Sequence, residues 1–285
     1  MNIDDPGAIA FVGGGHMARA LIAGLLRQGT RPQNLSVGEP LPGARAALER
    51  EFGIRAEAEN AVAIGAARVI VLAVKPQAAA GVLRGLPASA LAHRPLLLSI
   101  AAGLRIADLA RLLAVDLPIV RAMPNRPALL GKGITGLFAA PSVTAAQRLL
   151  AERIAGAAGR FVWLRAEPEL DVVTALSGSG PAYFFLLAEQ LAQAATELGL
   201  DPKTALLLAA ETLHGSGALA LGDTTLAEQR AAVTSRGGTT EAALRALDSG
   251  GFGALVGSAL RAAAARSAEL ADALSSSADR RSDTG

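Results

Sequence analysis

Short apolar runs alternate with longer stretches of helical periodicity through the first half of the chain. Runs of β-branched and large apolar residues predict strands at Ile9–Val12, Leu35–Val37, Val69–Val74, Leu96–Ile100, Ile119–Ala122 and Gly133–Ala139. Helical periodicity appears near residues 17–28 and 42–52, in GLRIADLARLLA, and in PSVTAAQRLLAERIAGAAG, where Ser142 or Thr144 is a candidate N-cap. This alternation predicts an α/β fold with a parallel sheet and crossover helices over residues 1–168.

The pattern changes after about Glu169, where strand-like runs end and long Ala- and Leu-rich helical stretches follow. Residues 169–274 are therefore predicted to form an all-helical second domain. Its apolar stripes are too wide for one small bundle, which predicts that part of this surface packs against another subunit. The last residues, 275–285, contain nothing to bury and are predicted to be disordered.

Composition excludes several classes of function. The formal net charge is +2 and the aromatic content is 3%, so neither a phosphate-tracking basic block nor a base-stacking surface is indicated, and no nucleic acid partner is expected. The chain has no cysteine, and its histidines show no ligand spacing, so no metal site is expected. The longest apolar region contains charged and amide side chains, and the N-terminus does not resemble a targeting peptide, so a soluble cytoplasmic protein is predicted without a membrane span.

The run IAFVGGGHMARALIAGLL places Gly13, Gly15 and Ala18 in a G-x-G-x-x-A pattern between a strand and a helix. Gly13 permits the tight turn, Gly15 lets the backbone approach a pyrophosphate, and Ala18 allows close helix–sheet packing. Free N–H groups at the helix start bind the anion. This predicts a Rossmann-type dinucleotide site, the alternative being a glycine-rich turn without a ligand.

Two further segments lie where a Rossmann cofactor is bound. Glu39 follows the second strand, where an acidic residue holds the adenine ribose hydroxyls and repels a 2′-phosphate, so NADH is favoured over NADPH unless Glu39 is merely solvated. The third long strand continues into VLAVKPQ, so Ala73, Val74, Lys75 and Pro76 are placed to line the cofactor. Alternatively, Pro76 simply ends the strand.

Near the C-terminus, SRGGTT stands directly before a helical stretch. Glycines and hydroxyls at a helix N-terminus can bind a small carboxylate, although a capping box with Thr239 or Thr240 as N-cap is the alternative.

Together with FVGGGHMA and VLAVKPQ, the segments RAMPNRPALLGKGIT, ALSGSGPAYFFLLAEQLAQAATELGL and SRGGTTEAALRALDSGGF resemble pyrroline-5-carboxylate reductase, in order and over nearly the whole chain. The resemblance implies a Rossmann domain followed by a helical dimerisation domain, as a homodimer or a decamer built from dimers. It implies reduction of the cyclic imine carboxylate (S)-1-pyrroline-5-carboxylate to L-proline with NADH or NADPH, the last step of proline biosynthesis.

The resemblance and the patterns described above together assign the site residues. The cofactor set is Gly13, Gly15, His16, Met17, Ala18, Glu39, Asn60, Ala73, Val74, Lys75, Pro76, Ala101 and Asn125. The substrate set is Ser235, Gly237, Gly238, Thr239 and Thr240, with Thr240 as the catalytic candidate that hydrogen-bonds the imine nitrogen. Six residues depart from those common in this family at their positions: His16, Glu39, Arg126, Ala232, Arg236 and Glu241.

Two other functions are compatible with parts of the pattern. A β-hydroxyacid dehydrogenase also joins a Rossmann domain to a helical one, but it relies on a catalytic lysine in the helical half, where this chain has only Lys203 in the loop-like LDPKTA. A non-catalytic nucleotide-binding regulator would bind the same ligands without turnover. Cofactor binding without imine-dependent oxidation distinguishes that regulator from an enzyme.

Overall fold

The computed structural model describes residues 7–113 and 115–280, with side chains described as far as Ser276. By compactness the chain divides into two units. The larger unit contains the described residues of Met1–Gly178 and Ala263–Gly285, and the smaller unit is Ser179–Ala262.

One eight-stranded sheet organises the larger unit. Its strands are β1 (Ile9–Val12), β2 (Leu35–Gly38), β3 (Arg55–Glu57), β4 (Val69–Leu72), β5 (Leu96–Ser99), β6 (Ile119–Met123), β7 (Gly133–Ala139) and β8 (Gly159–Trp163). The spatial order is β3-β2-β1-β4-β5-β6-β7-β8. Neighbouring strands are parallel except β6 and β7, which are antiparallel. The order from β3 to β6 is that of a doubly wound dinucleotide-binding sheet, so the predicted fold class is confirmed.

Helices cover this sheet and connect its strands. They are α1 (His16–Arg27), α2 (Pro42–Phe52), α3 (Asn60–Ile64), α4 (Pro76–Arg84), α5 (Ala88–Leu91), α6 (Ile106–Leu112), α7 (Ala145–Gly156) and α8 (Glu169–Val173). A π-helical turn, Thr174–Gly178, follows α8. Of the two candidate caps for α7, the structure selects Thr144, whose hydroxyl accepts a hydrogen bond from the Gln147 backbone N–H.

The core of the larger unit lies on both faces of the sheet. Every residue of β1, β2, β4 and β5 is buried, as expected for parallel strands covered by helices on two sides. Because these strands run in one direction, their carboxyl ends share one edge of the sheet. The loops that follow β1, β2, β4 and β5 therefore meet at that edge, where the predicted cofactor residues lie.

The smaller unit is helical throughout, which confirms the second predicted fold element. It contains α9 (Gly180–Glu197), α10 (Pro202–Leu219), α11 (Leu226–Ala232), α12 (Thr239–Ser249) and the first turns of α13 (Phe252–Arg280). Asp201 begins α10 by accepting a hydrogen bond from the Thr204 N–H at 3.0 Å.

Some elements were not predicted, each for a local reason. The edge strand β3 is three polar-rich residues long, and α3 is five residues long, so neither carries a hydrophobic period. The edge strand β8 is mostly exposed, and the third long strand ends at Leu72 instead of Val74. Pro76 is the first residue of α4, a position where its missing N–H costs no hydrogen bond.

The end of the chain differs from the prediction of a disordered tail at 275–285. Helix α13 continues through Ser275 to Arg280, because Ser275 hydrogen-bonds a buried carboxylate and Leu274 packs against the core. Residues 281–285 lie outside the described residues. The compact units also differ from the predicted division after residue 168, since the break falls after Gly178 and residues from Ala263 belong with the sheet.

Candidate active site

The loop between β1 and α1 is fixed by two neighbouring strand ends. Gly13 has a φ of +100°, and an added Cβ would lie 2.9 Å from both the Ala73 carbonyl oxygen and Val74 Cγ1. Its N–H donates to the Gly38 carbonyl at 2.9 Å. Only glycine fits this position without moving the backbone, as the prediction of a tight turn requires.

Gly15 has the opposite surroundings. It is exposed, has a φ of −70° as N-cap of α1, and an added Cβ would meet nothing within 4 Å. Among the described residues no side chain caps α1, so its first N–H groups face the open space beside Gly15. A cradle of this kind fits a pyrophosphate.

The other residues of this motif differ in their exposure to solvent. His16 is exposed at the first position of α1, whereas Met17 packs against the core and Ala18 is fully buried. Of these side chains, that of His16 is free to meet a ligand. Ala18 fills the close helix–sheet contact predicted for it.

Glu39 lies beside the glycine loop. Its carboxylate accepts hydrogen bonds from the Gly14 N–H and the Leu41 N–H, each at 3.2 Å. The Arg45 guanidinium donates to the Glu39 and Pro40 carbonyl oxygens at 2.8 and 2.9 Å and so holds this turn. The half-buried carboxylate is thus fixed at the carboxyl end of β2, where the adenine ribose of a dinucleotide lies in this fold. The part played by Arg45 was not predicted, because it depends on backbone carbonyls.

Asn60 is brought to the same corner. An added Cβ at Gly38 would lie 2.1 Å from Asn60 Oδ1, so the absence of a side chain at Gly38 makes room for the Asn60 amide. Glu39, Asn60 and the glycine loop therefore form one cluster.

The loops after β4 and β5 complete the edge. The Ala73 N–H donates to the Val12 carbonyl at 2.8 Å, which draws the start of the β4 loop against β1. Ala73 and Val74 are half-buried, and Lys75 is exposed as N-cap of α4. Ala101 follows β5 and is 6% exposed, so it offers its backbone more than its methyl group.

Asn125 lies at the end of β6 with a side chain already engaged. Its Nδ2 donates to the Ser177 carbonyl at 3.1 Å, and its Oδ1 accepts from the Ile134 N–H at 2.9 Å. The amide joins β7 to the π-helical turn and is 8% exposed. This structural role was not apparent from the sequence, because both partners are distant in the chain.

The SRGGTT segment begins α12 in the smaller unit. Gly238 is the N-cap, Gly237 has a φ of +72°, and Thr239 and Thr240 are the first helical residues. An added Cβ on Gly238 would lie 2.3 Å from Ser235 Oγ, so the hydroxyl sits directly over the helix start. Within the described chain no side chain caps α12, which disagrees with a capping box centred on Thr239 or Thr240. The first N–H groups of this helix remain available to an anion.

Glu241 is an additional feature of this loop. Its carboxylate accepts a hydrogen bond from the Gly237 N–H at 2.7 Å and lies 3.5 Å from the Arg245 guanidinium. The carboxylate therefore stabilises the left-handed turn at Gly237. The sequence showed Glu241 only as an unusual residue.

The described side chains contain no group of three or more His, Asp or Glu residues able to hold a metal ion. Among the described residues, two groups with perturbed pKa values lie outside the glycine loop and the SRGGTT segment. The pKa of Glu228 is lowered by hydrogen bonds from the backbone N–H and then the hydroxyl of Thr225, while the pKa of Arg105 is raised, chiefly by its hydrogen bond to Asp272.

The smaller unit has a large apolar surface. Phe184, Phe185, Leu206 and Leu207 are each more than half exposed, and a groove of about 420 Å³ lies between α9 and α10. The segment Glu169–Glu197 is long and apolar enough to cross a membrane by length and composition, with 17% of its most apolar window buried. Apolar surfaces of this size are typical of interaction sites.

Comparison with known families matches two parts of the chain. Residues 167–270 match the family described as pyrroline-5-carboxylate reductase dimerisation. Residues 8–103 match the family described as NADP oxidoreductase, coenzyme F420-dependent.

Similar proteins cover nearly the whole chain. A pyrroline-5-carboxylate reductase of Pseudomonas aeruginosa is 46% identical, over 93% of this chain and 97% of that protein. A solved pyrroline-5-carboxylate reductase from Coxiella burnetii has a TM-score of 0.90 at 38% identity and covers 93% of this chain and 99% of its own. A pyrroline carboxylate reductase from Plasmodium falciparum, solved with NADP bound, has a TM-score of 0.80 at 28% identity, covering 94% of this chain and 99% of that chain.

Proposed function

The chain belongs to the pyrroline-5-carboxylate reductase family, and on that premise we propose how its own residues serve the reaction. The protein is an NAD(P)-dependent oxidoreductase that reduces (S)-1-pyrroline-5-carboxylate to L-proline. The observation that carries the proposal is that each of the two units contains a glycine-lined helix start without a side-chain cap, at α1 in the larger unit and at α12 in the smaller one.

The first helix start fits a dinucleotide. The residues that hold it are the loop Gly13–Ala18, with Glu39 and Asn60 at the ribose corner and Ala73–Pro76 and Ala101 along the edge. When bound, the reduced nicotinamide supplies the hydride. The contribution of the chain is to fix the cofactor and to leave Gly15 uncovered for the pyrophosphate.

Cofactor preference follows from Glu39. A ribose 2′-hydroxyl can donate to its carboxylate, whereas a 2′-phosphate adds a charge of about −1.5 to −2 beside it, by analogy with other phosphomonoesters. The carboxylate is held by two backbone N–H groups, so it cannot turn away without losing them. NADH is therefore the favoured cofactor.

The test compares KM for NADH and NADPH in the wild type, E39S and E51Q. Glu51 is an exposed acidic residue of α2 paired with Arg19, so E51Q makes the same charge change away from the ribose corner. We expect a lower KM for NADH in the wild type and in E51Q, and in E39S a fall of about tenfold in KM for NADPH. A wild-type preference for NADPH contradicts the assignment of Glu39.

The second helix start holds the substrate. The N–H groups at the beginning of α12 and the Ser235 hydroxyl bind the substrate carboxylate, and Gly237 and Gly238 allow close approach. Thr239 adds a hydroxyl at the first helical position, and Thr240 hydrogen-bonds the ring nitrogen. The hydride adds to the imine carbon as the nitrogen receives a proton.

The proton does not come from a strong acid in this loop. No Asp, Glu or His lies between Ser235 and Thr240, and the Glu241 carboxylate that follows accepts a hydrogen bond from the Gly237 N–H. Solvent, or a substrate that is already an iminium ion, therefore supplies the proton, and Thr240 orients the nitrogen.

A matched pair of variants tests Thr240. T240V removes the half-buried hydroxyl, and T239V removes its exposed neighbour at the same helix start. We expect kcat/KM to fall by at least about tenfold in T240V and by less in T239V, since an unpaired polar group in the site costs more than a solvated one. An unchanged kcat/KM in T240V removes Thr240 from the mechanism.

The apolar surface of the smaller unit is the homodimer interface. Burying the exposed aromatic and leucine side chains of α9 and α10 against a second copy removes a large apolar surface from water. The same pairing covers the membrane-length segment Glu169–Glu197 in a soluble cytoplasmic protein, and a decamer built from dimers is the higher assembly. Sedimentation velocity distinguishes monomer, dimer and decamer. In a flotation assay the protein should not float with liposomes, and flotation with them would contradict the proposal.

A further inference from the structure

The connection between β5 and α6, residues 100–105, lies at the cofactor edge of the sheet. It begins with the Ile100 N–H, which donates to the Leu72 carbonyl at the end of β4 at 3.1 Å. It carries Ala101 and ends at Arg105, the N-cap of α6. We refer to residues 100–105 as the β5–α6 connection.

The last described turns of α13 hold one end of this connection through polar contacts. The Arg105 guanidinium lies 2.7 Å from Asp272 Oδ1, and this contact raises the pKa of Arg105 above its ordinary value. The Ser275 hydroxyl donates to Asp108 Oδ2 at 2.6 Å. Asp108 is buried and also accepts from the Arg105 N–H, so both contacts reach the same helix start.

Apolar packing supports the middle of the connection. Gly103 has a φ of +78°, and an added Cβ would lie 3.1 Å from Leu274 Cδ1 and 3.7 Å from the Ala271 backbone. Ala271 is 2% exposed. The turn at Gly103 is therefore packed directly under α13.

Ile106, the residue that follows the connection, is held by a different segment. Glu167 Oε1 accepts from the Ile106 N–H at 2.7 Å and from the Arg121 guanidinium at 2.8 Å. The Arg121 side chain is largely buried, so the pair is sheltered from water. The connection is therefore held at its end by Glu167 as well as by α13.

We propose that Asp272 and Ser275 are positioning residues that hold the β5–α6 connection in the conformation that binds the dinucleotide. Both lie beyond residues 167–270, the part of the chain that matches the dimerisation family. The inference rests on the proposed function, because it takes Ala101 to face the cofactor. Fixing the connection in advance tightens binding, since less conformational freedom is lost when the ligand arrives.

The test measures the Kd for NADH by fluorescence titration in the wild type, D272N/S275A and S267A, with kcat at saturating cofactor. Ser267 is the matched control, because its hydroxyl, on the same helix, donates to Asp171 Oδ1 at 2.7 Å instead of to Asp108 or to a residue of the connection. We expect the double variant to raise Kd by about threefold to tenfold and to change kcat by less than about twofold. S267A should bind NADH as the wild type does.

Hydrogen exchange supplies a readout that does not depend on turnover. In the double variant the amides of residues 100–106 should exchange faster, while those of β1 and β4 stay protected. If the double variant does not fold, S275A alone is measured in the same way. An unchanged Kd and unchanged exchange overturn the proposal, as does an equal rise in Kd in S267A.

Failure of the proposed function gives a different result. A wild-type protein that binds NADH but does not oxidise it with pyrroline-5-carboxylate contradicts the function, while the comparison of Kd values still decides the role of α13.

Discussion

Replacing Gly13 by alanine should lower the stability of the protein, whereas replacing Gly15 by alanine should mainly weaken cofactor binding. In G13A the new Cβ would lie 2.9 Å from a backbone oxygen and 2.9 Å from Val74 Cγ1, at a φ of +100°. The positive φ costs about 1–2 kcal/mol and the overlap about 1–3 kcal/mol, so we expect a loss of roughly 2–5 kcal/mol in the free energy of unfolding. In G15A the Cβ meets nothing within 4 Å at an ordinary φ, so the loss should stay below about 1 kcal/mol.

G15A should lose cofactor affinity although it keeps its stability. The open space beside Gly15 is where the pyrophosphate approaches the backbone, so a methyl group there should raise the Kd for NADH by at least about tenfold, or 1.4 kcal/mol. Chemical denaturation measures the stability of both variants, and fluorescence titration measures NADH binding by G15A. A G15A protein that binds NADH as the wild type does would refute the placement of the pyrophosphate. A fully stable G13A protein would refute the close packing at Gly13.

Other consequences concern the loop before α12 and the helix that precedes it. In E241Q the amide oxygen can still accept a hydrogen bond from the Gly237 N–H, but a negative charge is removed from the substrate site. KM for pyrroline-5-carboxylate in steady-state assays should therefore fall by about twofold to fivefold. An unchanged KM would place the charge away from the substrate. In α11 the hydrogen bonds from Thr225 lower the pKa of Glu228 below its ordinary value of 4.5. The ionised Glu228 carboxylate therefore stabilises the start of α11 above that value, and this stabilisation is lost as pH falls through the lowered pKa. Amide exchange in α11 should therefore accelerate on acidification in the wild type and depend less on pH in T225A, and equal pH dependence in the two proteins would contradict this reasoning.

The sequence was most informative where a local pattern and a ligand coincide. The strand before Gly13, the helix after it and the acidic residue at the end of β2 were all predicted from local spacing, and the structure brings Glu39 to the glycine loop. The all-helical second unit followed from the loss of strand-like runs after Glu169. These features depend on periodicity and backbone geometry, which a single sequence contains.

What the sequence did not reveal depends on contacts between distant residues. Asn125 uses its amide to join β7 to the π-helical turn, and Ser275 reaches Asp108 from the far end of the chain. Nothing in the local composition of SSSADRR indicates such a partner, so the segment resembled a disordered tail. The position of Glu241 over Gly237 likewise depends on the left-handed turn, which brings the carboxylate to the N–H.

The proposed reaction is the reduction of a cyclic imine by a reduced nicotinamide. The most direct measurement is the loss of NADH absorbance when (S)-1-pyrroline-5-carboxylate is added to the purified protein, with NADPH in parallel and proline measured as product. We predict oxidation that requires the substrate, is faster with NADH at low cofactor concentration, and forms proline in an amount equal to the NADH consumed. A folded protein that binds the dinucleotide but oxidises neither cofactor would contradict the account and favour a nucleotide-binding regulator.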